Sequence, residues 1–482
     1  MDLAFVQSGL LEKYLDTDVI SAARVTALLE RRGILDGTPV YLDEEAQTPI
    51  PPLCEFGRYL STALLDETTL KDYGRVIGRL DDYLAGLGSD VLSAAESDLI
   101  SYRGHRTQRQ KKPVGASVWS RESFVLDDFY GFLVDRKILP HRPARLAARG
   151  RNALAPRVRS GMDIRHLTFE QYRYFRDVGL GGQLPNAEVD SAFRGWSPLR
   201  GRAGSDIALG TGARWREWST VLLPEIGLWP GMPGGAAEYV VQACAKYGKD
   251  RTIYVPEDAV ASADLFCLLE RPDIVRRAAR GLERKARDLF VVGEVDVAGG
   301  RVRGILDGVV REFQMSAMDA KLRRITVGLE ALSLFVCRGG LMPGADAWKS
   351  YRHRAWTRMT NLADRSTPLL PGRRWRWHDL RHTYALQMLT YLENAMDGPE
   401  EDQQARRRRH RSYLTGHIRH NPLLIVSRRL GHASPETTYQ YLQYTDDLVN
   451  EFEAAFAGWV GDDGATYAEI ASHALASTKG AC

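Results

Sequence analysis

A chain of 482 residues exceeds one ordinary domain and predicts roughly two to four. Its 44% apolar and 26% charged residues support buried cores, and a net charge of +4 is too small to announce a nucleic-acid partner unless basic residues cluster locally. Five scattered cysteines without a Cys-x-x-Cys pair suggest neither a disulfide framework nor a cysteine zinc site. No apolar run reaches the ~18 residues that span a bilayer, and the first residues lack a basic, apolar leader. The expectation is a soluble cytoplasmic protein with no membrane partner.

Residues 1–52 read as an N-terminal appendage, with helical spacing from Val19 to Leu29 and an extended stretch at 38–45. Residues 53–145 read as a small helical domain. Leu64, Leu70, Tyr73, Val76, Ile77, Leu80 and Leu84 recur three and four apart in a helix over 61–87, which Gly86-Leu-Gly ends. A second helix fits 93–107, where Ser93 and Glu96 have capping-box spacing. A third fits 117–137, with Phe124, Leu126, Phe129 and Phe132 on its buried side. Residues 146–164 form a basic linker. Over 103–165 there are 15 Lys or Arg against 5 Asp or Glu. Lys111, Lys112, Arg142, Arg145, Arg149 and Arg151 therefore become candidates for holding a phosphate backbone, the plain alternative being a solvated linker.

A second, larger domain is expected over 165–456, mixed but mostly helical with a small antiparallel sheet, followed by a tail at 457–482. Thr168 suits a helix cap, and Gly210-Thr-Gly-Ala-Arg214 suits a corner between two helices. Alternation over 238–243 and 252–255 predicts a hairpin whose tip exposes Lys246, Lys249 and Arg251. Beyond it, 257–287 and 346–363 read as helices, 288–302 as a second hairpin and 330–336 as a buried segment. The overall class is mainly α, of α+β type.

Chemistry concentrates in Trp377-His-Asp-Leu-Arg-His-Thr-Tyr-Ala and in Leu430-Gly-His-Ala-Ser-Pro-Glu-Thr-Thr-Tyr-Gln-Tyr441. His378 and Arg381 stand three apart and share a helix face. His382 lies one turn from His378, but Asp379 occupies the Glu position of a His-Glu-x-x-His zinc motif and no third ligand is indicated, so no metal is expected. The run Arg406–Arg411 holds five Arg and one His, either a solvated loop or a DNA-contacting insertion.

These boxes resemble the catalytic domain of tyrosine recombinases, the phage-integrase family, whose pattern is His-x-x-Arg, Leu-Gly-His and a nucleophilic Tyr. On that resemblance His378, Arg381 and His432 are catalytic and Tyr441 is the nucleophile, in preference to Tyr439 and Tyr444. Thr-Gly-Ala-Arg-Trp-Arg-Glu resembles the family's first box, which gives Arg214 a catalytic and Glu217 a supporting role. The hairpin tip resembles the family's Lys-Gly-x-Lys-x-Arg and points to Lys246 as catalytic, with Lys249 and Arg251 as DNA-binding candidates. The helical 53–145 takes the place of the core-binding domain. The sequence departs from compact members in the spacing of 51 from Arg381 to His432, where 396–421 reads as an insertion, and in the long interval from Lys246 to His378.

The resemblance implies a site-specific recombinase that cuts and rejoins DNA through a 3′-phosphotyrosyl bond, without metal or other cofactor. It also implies a double-stranded core site, a tetramer on DNA, an accessory directionality factor and a place on the nucleoid. Two alternatives stay open: a catalytically inactive, sequence-specific DNA-binding relative, and a topoisomerase I-like relaxing enzyme.

Overall fold

Two compact units make up the chain, Met1–Gly161 and Met162–Cys482. The computed structural model describes all residues except 11–20, 64, 145, 148–150, 153, 156–163, 231, 233–234, 286–288, 307, 321, 324–325, 328–329, 366, 397–421, 433, 435–436 and 443–482. Arg145, Arg149, the run Arg406–Arg411 and Tyr444 thus lie outside the described residues.

In the first unit, β1 (Asp2–Phe5) pairs antiparallel with β2 (Pro39–Leu42), and α1 (Ala22–Arg31) lies between them in sequence. Helices α2 (Pro51–Thr62), α3 (Glu67–Ala85), α4 (Glu96–Gly104) and α5 (Ala116–Asp135) follow, and within the stretch read as a linker Leu146–Ala147 pairs antiparallel with Arg151–Asn152. The helix expected over 61–87 is two helices. Asp66 breaks it by capping α3, its carboxylate accepting from the Thr68 and Thr69 N–H groups at 3.0 and 3.1 Å. The capping box expected at Ser93 is also displaced: Asp98 accepts from Ala95 N at 2.9 Å, while the Ser93 N–H is taken by Asp90. Tyr41, Phe56, Ile77, Leu126 and Phe129 are buried together, so β2 shares one core with the helices. The approach is close at Gly57, where a Cβ would sit 2.3 Å from the Pro39 carbonyl oxygen. Phe124, expected inside, is 60% exposed. Its α5 neighbours fill the core without it.

The second unit begins with α6 (Phe169–Arg173), whose Thr168 and Gln171 exchange capping bonds at 3.2 and 3.1 Å. There follow α7 (Pro198–Thr211), α8 (Trp215–Ser219) and the hairpin of β3 (Ala237–Val241) and β4 (Arg251–Val255). The stretch read as helical over 257–287 is α9 (Glu257–Leu269) and α10 (Arg271–Arg284). Glu270, between them, accepts from the Leu199 N–H at 3.0 Å and from Ser197 Oγ, anchoring the start of α7. The second hairpin proves to be a meander of β5 (Val291–Asp296), β6 (Arg301–Leu306) and β7 (Val309–Gln314). A further turn at Gly308 (φ +74°) adds the strand that alternation over 288–302 could not show. Short strands Thr326–Val327 and Glu330–Ala331 extend this sheet, the former parallel to β5.

The core of the second unit gathers around Trp218, Trp348, Trp375 and Trp377, whose rings meet edge to face or tilted. Trp348 lies on α11 (Ala345–Leu362), and Trp377 opens α12 (Trp377–Met396). The Trp377 indole N–H donates to the Trp348 carbonyl at 3.0 Å, which fixes the start of α12. Beyond it, α13 (Pro422–Leu430) packs on α12 through Leu423, Val426 and Leu430. The fold is mainly helical with small, largely antiparallel sheets. Among the described residues no helix is long and apolar enough to cross a membrane.

Candidate active site

Helix α7 ends at Gly212, whose left-handed backbone (φ +58°) reverses the chain so that Arg214 can cap α8. A Cβ at Gly212 would meet the buried Tyr384 ring at 2.3 Å. Gly212→Ala is therefore expected to destabilise the protein by ~2–4 kcal/mol, from left-handed strain and overpacking together. The urea midpoint checks this, and an unchanged midpoint would refute the reading of the corner.

Glu217 is fully buried and accepts from the Arg214 N–H at 2.6 Å and from its Nη1 at 3.2 Å. It also pairs with Arg251, which donates in addition to the Arg429 carbonyl. Burial works to raise the Glu217 pKa, but Arg251, the Arg214 N–H and the Arg214 charge override it and hold the carboxyl below its ordinary value. One carboxylate thus braces the first box, the hairpin and, through Arg251, the end of α13.

Arg381 is 2% exposed and bridges two distant segments. Its Nη1 donates to the Gly212 carbonyl at 2.7 Å and its Nη2 to the Leu430 carbonyl at 2.6 Å. Arg214 Nη2 donates to the next carbonyl, that of Gly431, at 3.1 Å. The two guanidiniums therefore converge on adjacent peptide units. Burial, helped by Arg214 and Arg251, pulls the Arg381 pKa down to about 9, which leaves it charged at neutral pH.

Tyr441 is 1% exposed. Its hydroxyl lies 2.8 Å from His382 Nδ1, and its ring stacks on His432 at 6.3 Å with 4° between the planes. His432 Nδ1 in turn lies 2.7 Å from Thr438 Oγ1. Burial pushes the phenol up to about 12 against the opposing pull of Arg381 and Arg214. His378 is exposed and meets the His382 ring edge to face at 4.7 Å. Tyr439 is only half-buried.

Desolvation by its surroundings, then Arg381 and Arg214, lower the His378 pKa to about 4, although the side chain itself is exposed and solvent screens the effect. Burial and then the same arginines lower that of His432 to about 3. Both are below the ordinary value, so the unfolded chain takes up protons first as pH falls. The stabilisation from the partly buried His432 is complete above pH ~6.5 and is lost on descent towards its folded pKa, with the exposed His378 adding less. The melting temperature is expected to fall between pH 7 and 5, with a shallower fall in His432→Gln. Equal slopes would show that His432 is not the group responsible.

Lys246 and Lys249 are exposed at the tip of the β3–β4 hairpin, as their loop suggests. Arg251, expected beside them, instead turns inward to Glu217, because that buried carboxylate needs a second cation. Arg142 is occupied by Asp127 at 2.6 Å, and Arg106 by the buried Glu122. Lys111 and Lys112 are exposed; Arg151 belongs to a two-residue strand. Sequence reasoning missed His382 as the partner of Tyr441 and Thr438 as that of His432. The one-turn spacing of His378 and His382 was a signal, but it suggested a metal pair. Among the described residues no group of three or more metal-binding side chains comes together.

No family model matches the sequence, and no curated protein matches it. The chain is similar to the XerH site-specific recombinase bound to difH substrate in a pre-cleavage complex, at 14% identity and a TM-score of 0.38, over 90% of this chain and 82% of that one. For XerH in a post-cleavage complex with palindromic difH the figures are 13%, 0.39, 94% and 85%. For the Tn1549 transposon integrase in complex with circular intermediate DNA they are 15%, 0.41, 78% and 90%.

Proposed function

We propose that this chain is a site-specific DNA recombinase of the tyrosine recombinase type, which cleaves and rejoins strands through Tyr441. The observation that carries the reading is the convergence of Arg214 and Arg381 on the Gly431 and Leu430 carbonyls, with a phenol whose hydroxyl meets His382 and whose ring lies parallel to that of His432. A guanidinium has five donors, so these carbonyl bonds leave capacity for the non-bridging oxygens of a phosphate. Charge grows on those oxygens in the transition state, where fixed cations are worth most.

In the proposed step, Tyr441 Oη bonds to phosphorus as the bond from phosphorus to the 5′ oxygen breaks. The phenol gives its proton to an imidazole, and Lys246 protonates the departing oxygen. The hydroxyl of Thr438 donating to His432 Nδ1 would leave Nε2–H to hydrogen-bond a phosphate oxygen. The phosphotyrosyl bond conserves the diester, and a second strand's 5′-hydroxyl reverses the step. Four copies on two duplexes, on the nucleoid, would complete an exchange.

The test is a nicked suicide substrate carrying the core site, with covalent protein–DNA adduct read on a denaturing gel. Tyr441 is buried, and that observation favours a second reading, a DNA-binding protein that does not cleave. Site-specific binding with no adduct on any nicked substrate would establish the second reading over the first.

A further inference from the structure

A cleft of 490 Å³ opens in the second unit between the start of α7, the loop 193–197 and α11. It lies at the opposite end of α7 from Gly212, ~20 Å away at the helical rise of 1.5 Å per residue. The candidate active site does not use it.

The wall of the cleft is cationic, and no carboxylate lines it among the described residues. Arg200 is the built part. It is 2% exposed, and its guanidinium lies 4.2 Å from the Tyr351 ring and 4.8 Å from that of Trp196. One Nη donates to the Val336 carbonyl at 2.8 Å, while Nε is buried with no hydrogen-bond partner among the described residues. That Nε has almost no exposed surface, so Arg200 meets the cleft as a fixed, desolvated positive charge, and an anion against the wall would offset the cost of burying it. Arg194 and Arg354 stand exposed at the mouth, Arg354 resting its face 5.2 Å from Tyr351. Arg358 is already held by Asp190 at 2.6 Å and serves as wall, its face on Phe193.

We propose that this cleft binds a nucleoside monophosphate, the phosphate held by Arg200, Arg194 and Arg354 and the flat base against Phe193 and Trp196. The volume suits a ligand of that size, within the ~300–1,000 Å³ of small-molecule sites. Several guanidiniums facing one cavity match a phosphate dianion better than a single carboxylate. The nucleotide is either free or the phosphorylated end of a DNA strand; the chemistry recognised is the same.

The full chain without DNA is titrated with AMP, GMP, CMP, UMP and inorganic phosphate, read by calorimetry and tryptophan fluorescence. At least one nucleotide is expected to bind saturably, one per chain, and more tightly than inorganic phosphate. Affinity should fall ~10-fold or more in the double variant Arg194→Ala/Arg354→Ala, which removes two charge-assisted partners. It should fall similarly in Thr357→Trp, which fills the cleft from an exposed position. Circular dichroism confirms that both variants fold. No saturable binding, binding unchanged in both variants, or inorganic phosphate bound as tightly as every nucleotide would each overturn the proposal. Competition by a 5′-phosphorylated oligonucleotide but not by its unphosphorylated twin, lost in the same variants, would identify the strand end as the source. Absence of that competition alongside nucleotide binding would identify the free nucleotide. Because binding is read without strand cleavage, the result is independent of Tyr441 chemistry.

Discussion

Tyr441→Phe is expected to abolish the covalent protein–DNA adduct, by ~10⁴-fold or more, while leaving site-specific DNA binding intact. The substitution removes one oxygen and keeps the ring that stacks on His432 and packs with Leu423 and Leu430. The structural loss is the contact with His382 Nδ1, about 1 kcal/mol as an ordinary hydrogen bond. Stability and catalysis therefore separate cleanly at this position. A gel shift equal to wild type, with no adduct on a nicked substrate, is the expected pair of results. Adduct formed at wild-type rate would transfer the nucleophile to another residue, with Tyr439 the first to examine.

Arg381→Lys is expected to reduce strand cleavage by ~10²–10³-fold, the usual loss when one fixed oxyanion donor goes. The charge is retained, but an ammonium cannot present the planar fork that reaches the Gly212 and Leu430 carbonyls together. One of these buried carbonyls is left unmatched, which costs about 1–3 kcal/mol of stability. Single-turnover cleavage and a urea titration measure the two effects separately. Loss of stability with full cleavage would make Arg381 purely structural and would remove it from the proposed chemistry.

The architecture was largely legible because both periodicities are strong in this chain. The alternation around the Lys246 tip gave a hairpin, and the apolar rhythm of 117–137 gave a helix. Misreadings arose where a polar side chain outvoted the rhythm, as at Asp66 between two helices, or where a face was judged from one strip alone, as at Phe124. Around the site, the family resemblance pointed to Arg214, His378, Arg381, His432 and Tyr441, whose proposed roles await the cleavage experiments. Tertiary partners were not legible. Nothing in the local sequence says that Arg251 will turn from an exposed tip to Glu217, since that depends on burying a carboxylate 34 positions upstream. Likewise, His382 meets Tyr441 across 59 positions, with the fold alone bringing them together.

The grips between the boxes have a consequence for divergence. Arg214 and Arg381 seize Gly431, Leu430 and Gly212 by their main-chain oxygens, and Arg251 takes Arg429 in the same way. Every residue type carries such an oxygen, so the grip asks for a backbone path and not for a particular side chain. Drift at positions such as 429 and 430 leaves these bonds intact so long as the replacements still pack. A handful of polar residues would then suffice to hold the geometry while the remainder of the chain is rewritten.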